Sequence, residues 1–139
     1  MRKIICLFIV SMMCLSLMAC GKEQSYDPDY IDLTVMSGTM VYSEVLNMMN
    51  SPEEYEGKTV KMQGAFSYAE GTDRYYYACI IADATACCSQ GIEFELAEER
   101  VFPDEYPEVG EQITVEGIFG TYYEDEYRYC TLTDAVMLK

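Results

Sequence analysis

The chain has 139 residues and is strongly acidic: 24 aspartates and glutamates outnumber 9 lysines and arginines, for a net charge of −15 at pH 7, and histidine is absent from the sequence. A field this acidic repels phosphate backbones and anionic headgroups, which excludes nucleic acid as a partner and favours cations and metal ions, although the same charge also serves solubility. A nucleophilic cysteine lacks its usual histidine base here, and no catalytic, phosphate-binding or calcium-binding motif occurs, so we expect a protein that is not an enzyme.

The first residues have the pattern of an export signal. Two basic residues precede an apolar run over residues 4–17, and that run is shorter than the roughly 18 apolar residues that span a bilayer. Ala19 and Cys20 follow it. Residues 1–21 resemble a bacterial lipoprotein signal peptide with its lipobox. The resemblance implies cleavage before Cys20, a diacylglyceryl anchor with palmitate-like chains on its thiol, and localisation on the extracytoplasmic face of the cell membrane.

Three segments are predicted from this pattern. They are a signal peptide over residues 1–19, a lipidated tether over residues 20–38, and one folded domain over residues 39–139. The tether is polar and lacks sustained periodicity, although the stretch from Ile31 to Met36 is able to dock as a short strand.

The domain begins with a predicted helix over residues 39–50. Apolar side chains recur there at helical spacing and form one face: Val41, Val45, Met48 and Met49. Ser51 as a cap and Pro52 at the first position predict one further helical turn, which ends at Gly57.

From residue 59 onward the pattern predicts strands. Alternating or continuous apolar runs occur over five segments: Thr59–Ser67, Tyr75–Asp83, Gly91–Leu96, Gln112–Tyr123 and Tyr127–Leu138. Between the third and fourth lies a charged connection over residues 97–110. Five strands at this spacing predict a mostly β fold, a five-stranded OB-like barrel preceded by the short helix, with a small β-sandwich as the alternative.

An internal repeat supports the barrel. Residues 57–66 align without gaps on residues 110–119, and each copy carries a turn glycine, alternating apolar residues and a glycine in mid-strand, at Gly64 and Gly117. Glycine inside a strand usually marks a bend or bulge, which the long strands of a small barrel need. The pattern resembles the first and fourth strands of an OB-fold.

The densest local signal is the segment that runs from Asp83 through Cys87-Cys88 to Phe94. With the motif from Tyr55 to Gly64, which reads Tyr-x-Gly-Lys-x-Val-x-x-x-Gly, residues 55–138 resemble a group of uncharacterised bacterial lipoproteins and membrane-associated proteins that have an OB-like domain and a Cys-Cys pair. In one branch of that group Cys-Cys precedes an Ala-Asp-Ala step, whereas here it follows that step. The resemblance implies a role in metal homeostasis, zinc in particular.

Three interpretations of the cysteines remain open. Cys87 and Cys88 are candidate thiolate ligands for zinc or Cu(I), with Cys79, Cys130 or a nearby acid completing the set, although adjacent cysteines lack the usual two-residue spacing. Outside the cytoplasm, disulfides that involve Cys79, Cys130 or one of the pair are the second interpretation. In the third, the cysteines are small buried apolar residues, Cys79 above all.

Thirteen tyrosines and no tryptophan form the second unusual pattern. In an OB-fold the first-to-second and fourth-to-fifth loops lie at the same end of the barrel. Two clusters would then meet there as a ligand face, which consists of Tyr75, Tyr76, Tyr77, Tyr122, Tyr123 and Tyr127 around an acidic turn of Glu124, Asp125 and Glu126. Such a face suits a sugar or a cationic peptide, although tyrosine also fits strands for reasons of propensity alone.

Two functions of different class follow from these patterns. The first is a membrane-anchored, non-enzymatic accessory module that binds a metal ion through the Cys-Cys pair. The second is an interaction module whose tyrosine-rich face binds an envelope polymer or a partner protein.

Overall fold

The computed structural model describes residues 27–83, 85 and 87–138. The predicted signal peptide, Cys20 and the first part of the tether lie outside the described residues. The described part is mostly β, with a six-stranded mixed sheet and one short α-helix. That helix falls short of the length and apolarity that a membrane span requires, as does every other helix in the described part.

The elements follow one another closely along the chain. Strand β1 covers Tyr30–Asp32, helix α1 Gly38–Asn50, β2 Thr59–Glu70, β3 Tyr75–Ala82, β4 Ser89–Leu96, β5 Gln112–Glu124 and β6 Tyr127–Leu138, with 3-10 turns at Leu33–Val35 and Pro52–Glu54. The predicted helix and five strands are confirmed to within a few residues at their ends. The short docked strand that the sequence allows over Ile31–Met36 is present in part, as β1 at Tyr30–Asp32 with the 3-10 turn Leu33–Val35 after it. The predicted barrel of five strands does not count it, because three residues are too few to show a period-two pattern.

The strands pair in the order β1-β2-β3-β4-β6-β5, and β2 also pairs with β5. The β1–β2 and β4–β6 pairs are parallel, and the other pairs are antiparallel. The β2–β5 pairing gives each strand from β2 to β6 at least two neighbours. Only β1 in the described sheet has a single strand partner.

Both mid-strand glycines mark the irregularities that the repeat predicts. Strand β2 pairs with β5 up to Ala65 and with β3 from Ala65 onward, so the chain changes partner beside Gly64. A Cβ at Gly64 would collide with the carbonyl oxygen of Ile80 and lie 2.9 Å from the Sγ atom of Cys79. At Gly117 the β5–β6 register shifts, and a Cβ would lie 2.9 Å from the carbonyl oxygen of Thr133. Close backbone approach therefore requires glycine at both positions.

The core draws on every strand from β2 to β6 and on α1. Helix α1 buries three of its four predicted apolar residues, Val41, Val45 and Met48, whereas Met49 is 37% exposed, so that part of the predicted face is wrong. Leu33 is 1% exposed, and Ile31 and Met36 pack against the core. Close packing therefore begins within the range predicted as tether.

The connection after β4 adds an aromatic layer to the core. The ring of Tyr106 stacks on Tyr77 at 4.2 Å between centroids and on Phe66 at 5.9 Å. Phe102 contacts Tyr75 at 4.5 Å and Tyr68 at 4.8 Å. The segment over residues 97–110, which the sequence predicts only as a charged connection, thus closes over the aromatic side chains of β2 and β3.

Candidate functional site

The Cys-Cys pair lies in the loop of the β3–β4 hairpin. The strands end in the Ala82–Ser89 pair, and the backbone N–H of Asp83 donates to the carbonyl oxygen of Cys88 at 2.9 Å. This bond closes a six-residue loop at the tip of the hairpin. Cys87 and Cys88 are both exposed.

The Asp83 carboxylate organises this loop. Its Oδ1 atom accepts the backbone N–H of Cys87 at 3.0 Å and of Thr85 at 3.2 Å. Its Oδ2 atom accepts the Thr85 hydroxyl at 3.0 Å and the Cys87 thiol at 3.3 Å. Aspartate is common at loop starts because its short side chain bonds to backbone N–H groups further along the chain. The same bonds hold its second oxygen against the thiol of Cys87.

Three potential metal ligands therefore converge. The Sγ atoms of Cys87 and Cys88 are 3.7 Å apart, and one donor atom from each of Asp83, Cys87 and Cys88 lies within 4.8 Å of the other two. No other group of histidine, cysteine or acidic side chains in the described part of the chain meets this criterion. The sequence predicts a nearby acid as one candidate for the remaining ligand but does not say which one. The position of Asp83 at the start of the loop is the feature that could have identified it.

The proton equilibria of the site differ between its members. Desolvation alone would raise the pKa of Asp83, but hydrogen bonds from the thiol of Cys87, from Thr85 and from the loop backbone hold that pKa below its usual value. The pKa of Cys88 is raised by its hydrogen bond with Cys87, by desolvation and by the charge of Asp83. The carboxylate is therefore ionised at neutral pH while the Cys88 thiol retains its proton.

Cys79 and Cys130 lie apart from the Cys-Cys pair. Cys79 is 0% exposed, opposite Phe66 and Ile92 within the sheet, and burial raises its pKa to about 12. Cys130 is half-buried, with its Sγ atom 3.9 Å from the carbonyl oxygen of Met48. The structure therefore brings Asp83, and neither Cys79 nor Cys130, to the Cys-Cys pair. All four cysteines of the described residues are free thiols.

The predicted tyrosine face is assembled in part. The hydroxyl of Tyr76 donates to Glu124 at 2.6 Å, and the hydroxyl of Tyr122 donates to Glu93 at 2.5 Å. Arg74 lies between the two rings, with its guanidinium carbon 4.4 Å from the centroid of Tyr76 and 5.3 Å from that of Tyr122. Tyr76, Tyr122 and Glu124 are thus brought together.

Sequence reasoning missed the charged members of this network other than Glu124, namely Arg74, Glu93 and Glu95. Arg74 also forms an ion pair with Glu95 at 2.8 Å, and the ring of Tyr129 stacks on Tyr122 at 5.4 Å. Desolvation raises the pKa of Glu93, while the bond from Tyr122 and the charge of Arg74 oppose that shift. The alternation of Glu93 and Glu95 along β4 could have indicated these acidic partners, since it places both side chains on one side of the strand.

Tyr75 and Tyr77 do not belong to this face, contrary to the prediction. Successive side chains of a strand point to opposite faces, so Tyr76 separates from its two neighbours. The ring of Tyr75 contacts Phe102, and that of Tyr77 stacks on Tyr106, both in the connection after β4. Both rings thus pack within the aromatic layer, and Tyr75 remains 40% exposed.

The remaining residues of the predicted face lie around the β5–β6 turn. Tyr123 and Tyr127 are each 70% exposed. Glu124, Asp125 and Glu126 are exposed beside them, and Asp125 has a left-handed backbone with φ of 54°. These side chains form an accessible acidic and aromatic tip.

Comparison with known protein families and with curated proteins finds no match for this chain.

Proposed function

We propose that this protein is a membrane-anchored extracytoplasmic lipoprotein whose domain is a non-enzymatic accessory module that binds a thiophilic metal ion, zinc foremost, through Asp83, Cys87 and Cys88. The convergence of these three donors on one hairpin loop is the observation that carries the proposal. The acidic charge of the chain supports it, because a net charge of −15 attracts cations.

Two of the three distances between the donors match a zinc site. Two sulfurs that each lie about 2.3 Å from zinc at the tetrahedral angle are about 3.8 Å apart, and the Sγ atoms of Cys87 and Cys88 are 3.7 Å apart. A sulfur and a carboxylate oxygen on the same ion are about 3.5 Å apart, compared with 3.3 Å between Cys87 Sγ and Asp83 Oδ2. Binding therefore requires loss of the thiol protons and little change in these two distances.

The donor set favours zinc over its competitors. Thiolates select soft or borderline ions, which disfavours magnesium and calcium. The carboxylate oxygen suits Zn²⁺ better than Cu(I), which prefers sulfur ligands alone. Two thiolates and one carboxylate are thus a mixed set of the type that zinc accepts.

Metal content tests this site. The full-length chain, purified in detergent without chelator, is expected to contain about one zinc per chain more than Cys87→Ser/Cys88→Ser prepared in parallel, because structural and catalytic zinc sites bind one ion per ligand set. Subtracting the zinc content of the double variant from that of the wild type removes any zinc that is bound by cysteines outside the described residues. Cys130→Ser is the matched control and keeps the metal. Equal metal in wild type and the double variant would refute the metal site.

For the fold we propose the finer description of an OB-like barrel. The pairing of β2 with β3, β3 with β4, β4 with β6, β6 with β5 and β5 with β2 supports this, since it is the order in which the five strands of an OB-fold close. The glycines at the partner change and the register shift also support it. This fold alone carries little information about function.

The membrane anchor rests on the lipobox-like sequence that ends in Cys20. In a bacterial host fed a labelled fatty acid, the wild-type chain is expected to incorporate label and to sediment with membranes. Cys20→Ser is expected to lose the label, because the thiol is the acceptor of the diacylglyceryl group. Equal labelling of the two proteins would contradict the lipoprotein assignment.

The exposed tip of β5 and β6 favours a second candidate, an interaction module for an envelope polymer or a partner protein. Tyr123 and Tyr127, each 70% exposed, stand beside three acidic residues of the turn. Aromatic rings next to carboxylates suit a sugar or a cationic peptide. Tyr123→Ala/Tyr127→Ala is expected to abolish such binding and to leave metal content unchanged, whereas Cys87→Ser/Cys88→Ser is expected to do the reverse.

A further inference from the structure

We infer that Cys87 and Cys88 form a reversible redox pair, in which the two thiols are oxidised to a disulfide with each other by exchange with an external disulfide. This reaction is separate from metal binding, although it uses the same two sulfurs. All four cysteines of the described residues are free thiols, so the structure shows the pair in its reduced form.

The loop conformation brings the two sulfurs together. Successive side chains of a strand point to opposite faces, which keeps the sulfurs of adjacent cysteines apart. Cys87 and Cys88 instead lie between the end of β3 and the start of β4, and their Sγ atoms are 3.7 Å apart. The sulfurs of a disulfide are about 2.05 Å apart, so these atoms need to approach by about 1.7 Å, a movement that side-chain rotation in an exposed loop can supply.

Other groups of the loop hold the sulfur of Cys87 in this position. The thiol donates to Asp83 Oδ2 at 3.3 Å, and the hydroxyl oxygen of Thr85 lies 3.2 Å from the same sulfur. Cys87 and Cys88 are also exposed, so a disulfide in solution can reach them, whereas Cys79 is buried and Cys130 is half-buried. Proximity and exposure are therefore combined at this pair of cysteines.

A disulfide between adjacent residues is expected to be reduced easily. Neighbouring Cα atoms across a trans peptide are about 3.8 Å apart, which is shorter than the roughly 4.4 to 6.8 Å usual across a disulfide. Such a bond is strained, and strained or exposed disulfides have higher reduction potentials than structural ones. The hairpin is already closed by the backbone bond from Asp83 to Cys88. The pair is therefore suited to switching between two redox states rather than to cross-linking the fold.

The reaction balances as two successive exchanges. One thiol of the pair loses its proton to water, and its sulfur attacks the external disulfide, whose bond breaks to give a mixed disulfide and one free thiolate. The neighbouring thiol loses its proton and attacks the cysteine sulfur of the mixed disulfide, which forms the Cys87–Cys88 bond and releases the second thiolate. The pair loses two electrons and two protons, and the external disulfide gains the two electrons.

Oxidation and metal binding exclude each other. The thiolate is the form of cysteine that binds metal, and the sulfurs of a disulfide are no longer thiolates. The oxidised pair therefore loses the ion, and the bound ion protects the pair from oxidation. This exclusion rests on the proposed metal function, whereas the redox reaction itself does not.

Oxidised glutathione is the probe that tests the inference. The metal-free, full-length chain in detergent is incubated with it, alkylated with iodoacetamide in denaturant and digested with trypsin, which releases residues 75–100 as one peptide. In wild type this peptide is expected to lose two hydrogens, to carry no glutathione, and to have Cys87 and Cys88 unalkylated until dithiothreitol is added. Cys87→Ser and Cys88→Ser are each expected to keep a glutathione adduct on the remaining cysteine, because no neighbouring thiol displaces it. Cys79→Ala is the matched control and is expected to behave as wild type.

The outcomes separate the redox pair from the metal site. Glutathione adducts as abundant on wild type as on the single variants, or a disulfide from Cys79 to either member of the pair, would overturn the inference and leave the zinc-content test of the metal site unaffected. Zinc at ten times its Kd is expected to slow disulfide formation about tenfold, because only about one chain in ten then has free thiols. An unchanged rate would refute the exclusion and count against zinc binding at these sulfurs, while the redox pair would stand.

Discussion

The phenol of Tyr76, at the start of β3, donates a hydrogen bond to the carboxylate of Glu124 at the end of β5, with its oxygen 2.6 Å from Oε1 and 2.9 Å from Oε2. The two residues are 48 positions apart in the chain. Their contact joins the loop between β2 and β3 to the turn between β5 and β6. The two loops that the sequence predicts to meet at one end of the fold are therefore adjacent.

This bond predicts a shifted titration of Tyr76. Hydrogen bonding to Glu124 raises the pKa of Tyr76, while the nearby Arg74 opposes that shift. Glu124→Gln is therefore expected to lower the pKa of Tyr76, because the neutral amide no longer disfavours the phenolate. Titration of tyrosine ring carbons by NMR measures this directly. An unchanged pKa in Glu124→Gln would show that the bond does not persist in solution.

Glu93 predicts a pH dependence of stability. Desolvation raises the pKa of this half-buried carboxyl in the folded state. The native state then binds a proton that the unfolded state has already lost, so the free energy of unfolding falls as pH rises from the unfolded pKa through the folded one. Glu93→Gln is expected to flatten this part of the profile, measured by urea unfolding from about pH 4 to about pH 7. Glu95→Gln, on an exposed neighbour, is the control and should retain the slope.

Gly64 and Gly120 form a matched pair of substitutions. Gly64→Ala places a methyl group against the carbonyl oxygen of Ile80 and is expected to destabilise the domain by about 2 to 3 kcal/mol, as overpacking of a core does. A Cβ at Gly120 meets nothing within 4 Å, so Gly120→Ala is expected to change stability by less than about 0.5 kcal/mol or to increase it slightly. Chemical denaturation measures both. Equal costs for the two variants would contradict the close contact beneath Gly64.

The four cysteines of the domain are predicted to differ in reactivity. Cys87 and Cys88 are exposed, whereas Cys79 is buried, and that burial raises its pKa to about 12. Only the thiolate reacts with iodoacetamide, so we expect Cys87 and Cys88 to be modified first, Cys130 more slowly, and Cys79 only in denaturant. Peptide mass spectrometry of the labelled chain resolves these sites. Modification of Cys79 in the native protein at the rate of Cys87 would contradict its place in the core.

Metal affinity is predicted to rise with pH. The pKa of Cys88 is raised by its bond with Cys87, by desolvation and by the charge of Asp83. A metal ion must displace this proton, so the affinity for Co²⁺ is expected to rise about tenfold per pH unit for each proton released, up to the pKa of the thiol. Titrations at several pH values measure the slope. Cys88→Ser is expected to bind more weakly and with a smaller slope; an equal slope would show that another group loses the proton.

Much of the fold could be predicted from local pattern. Alternating or continuous apolar runs predict β2 to β6, helical spacing predicts α1, and the repeated glycines Gly64 and Gly117 predict the places where strands bend. These features depend on neighbours in the chain, so the sequence alone carries them. The sequence allowed a short docked strand over Ile31–Met36, but it determined neither the bounds nor the partner of β1, because three residues show no period and the parallel partner Thr59–Lys61 is almost thirty residues away.

The composition of the candidate sites depended on tertiary structure. The sequence by itself determined the acidic charge, the absence of histidine, the lipobox-like start and the presence of adjacent cysteines. Only the folded chain decided that Asp83, rather than Cys79 or Cys130, joins Cys87 and Cys88. It also decided that Arg74 lies between Tyr76 and Tyr122 while Tyr75 and Tyr77 pack on the other face of β3. The physical reason is that strand pairing and the direction of each side chain, which are not local properties, determine which residues meet.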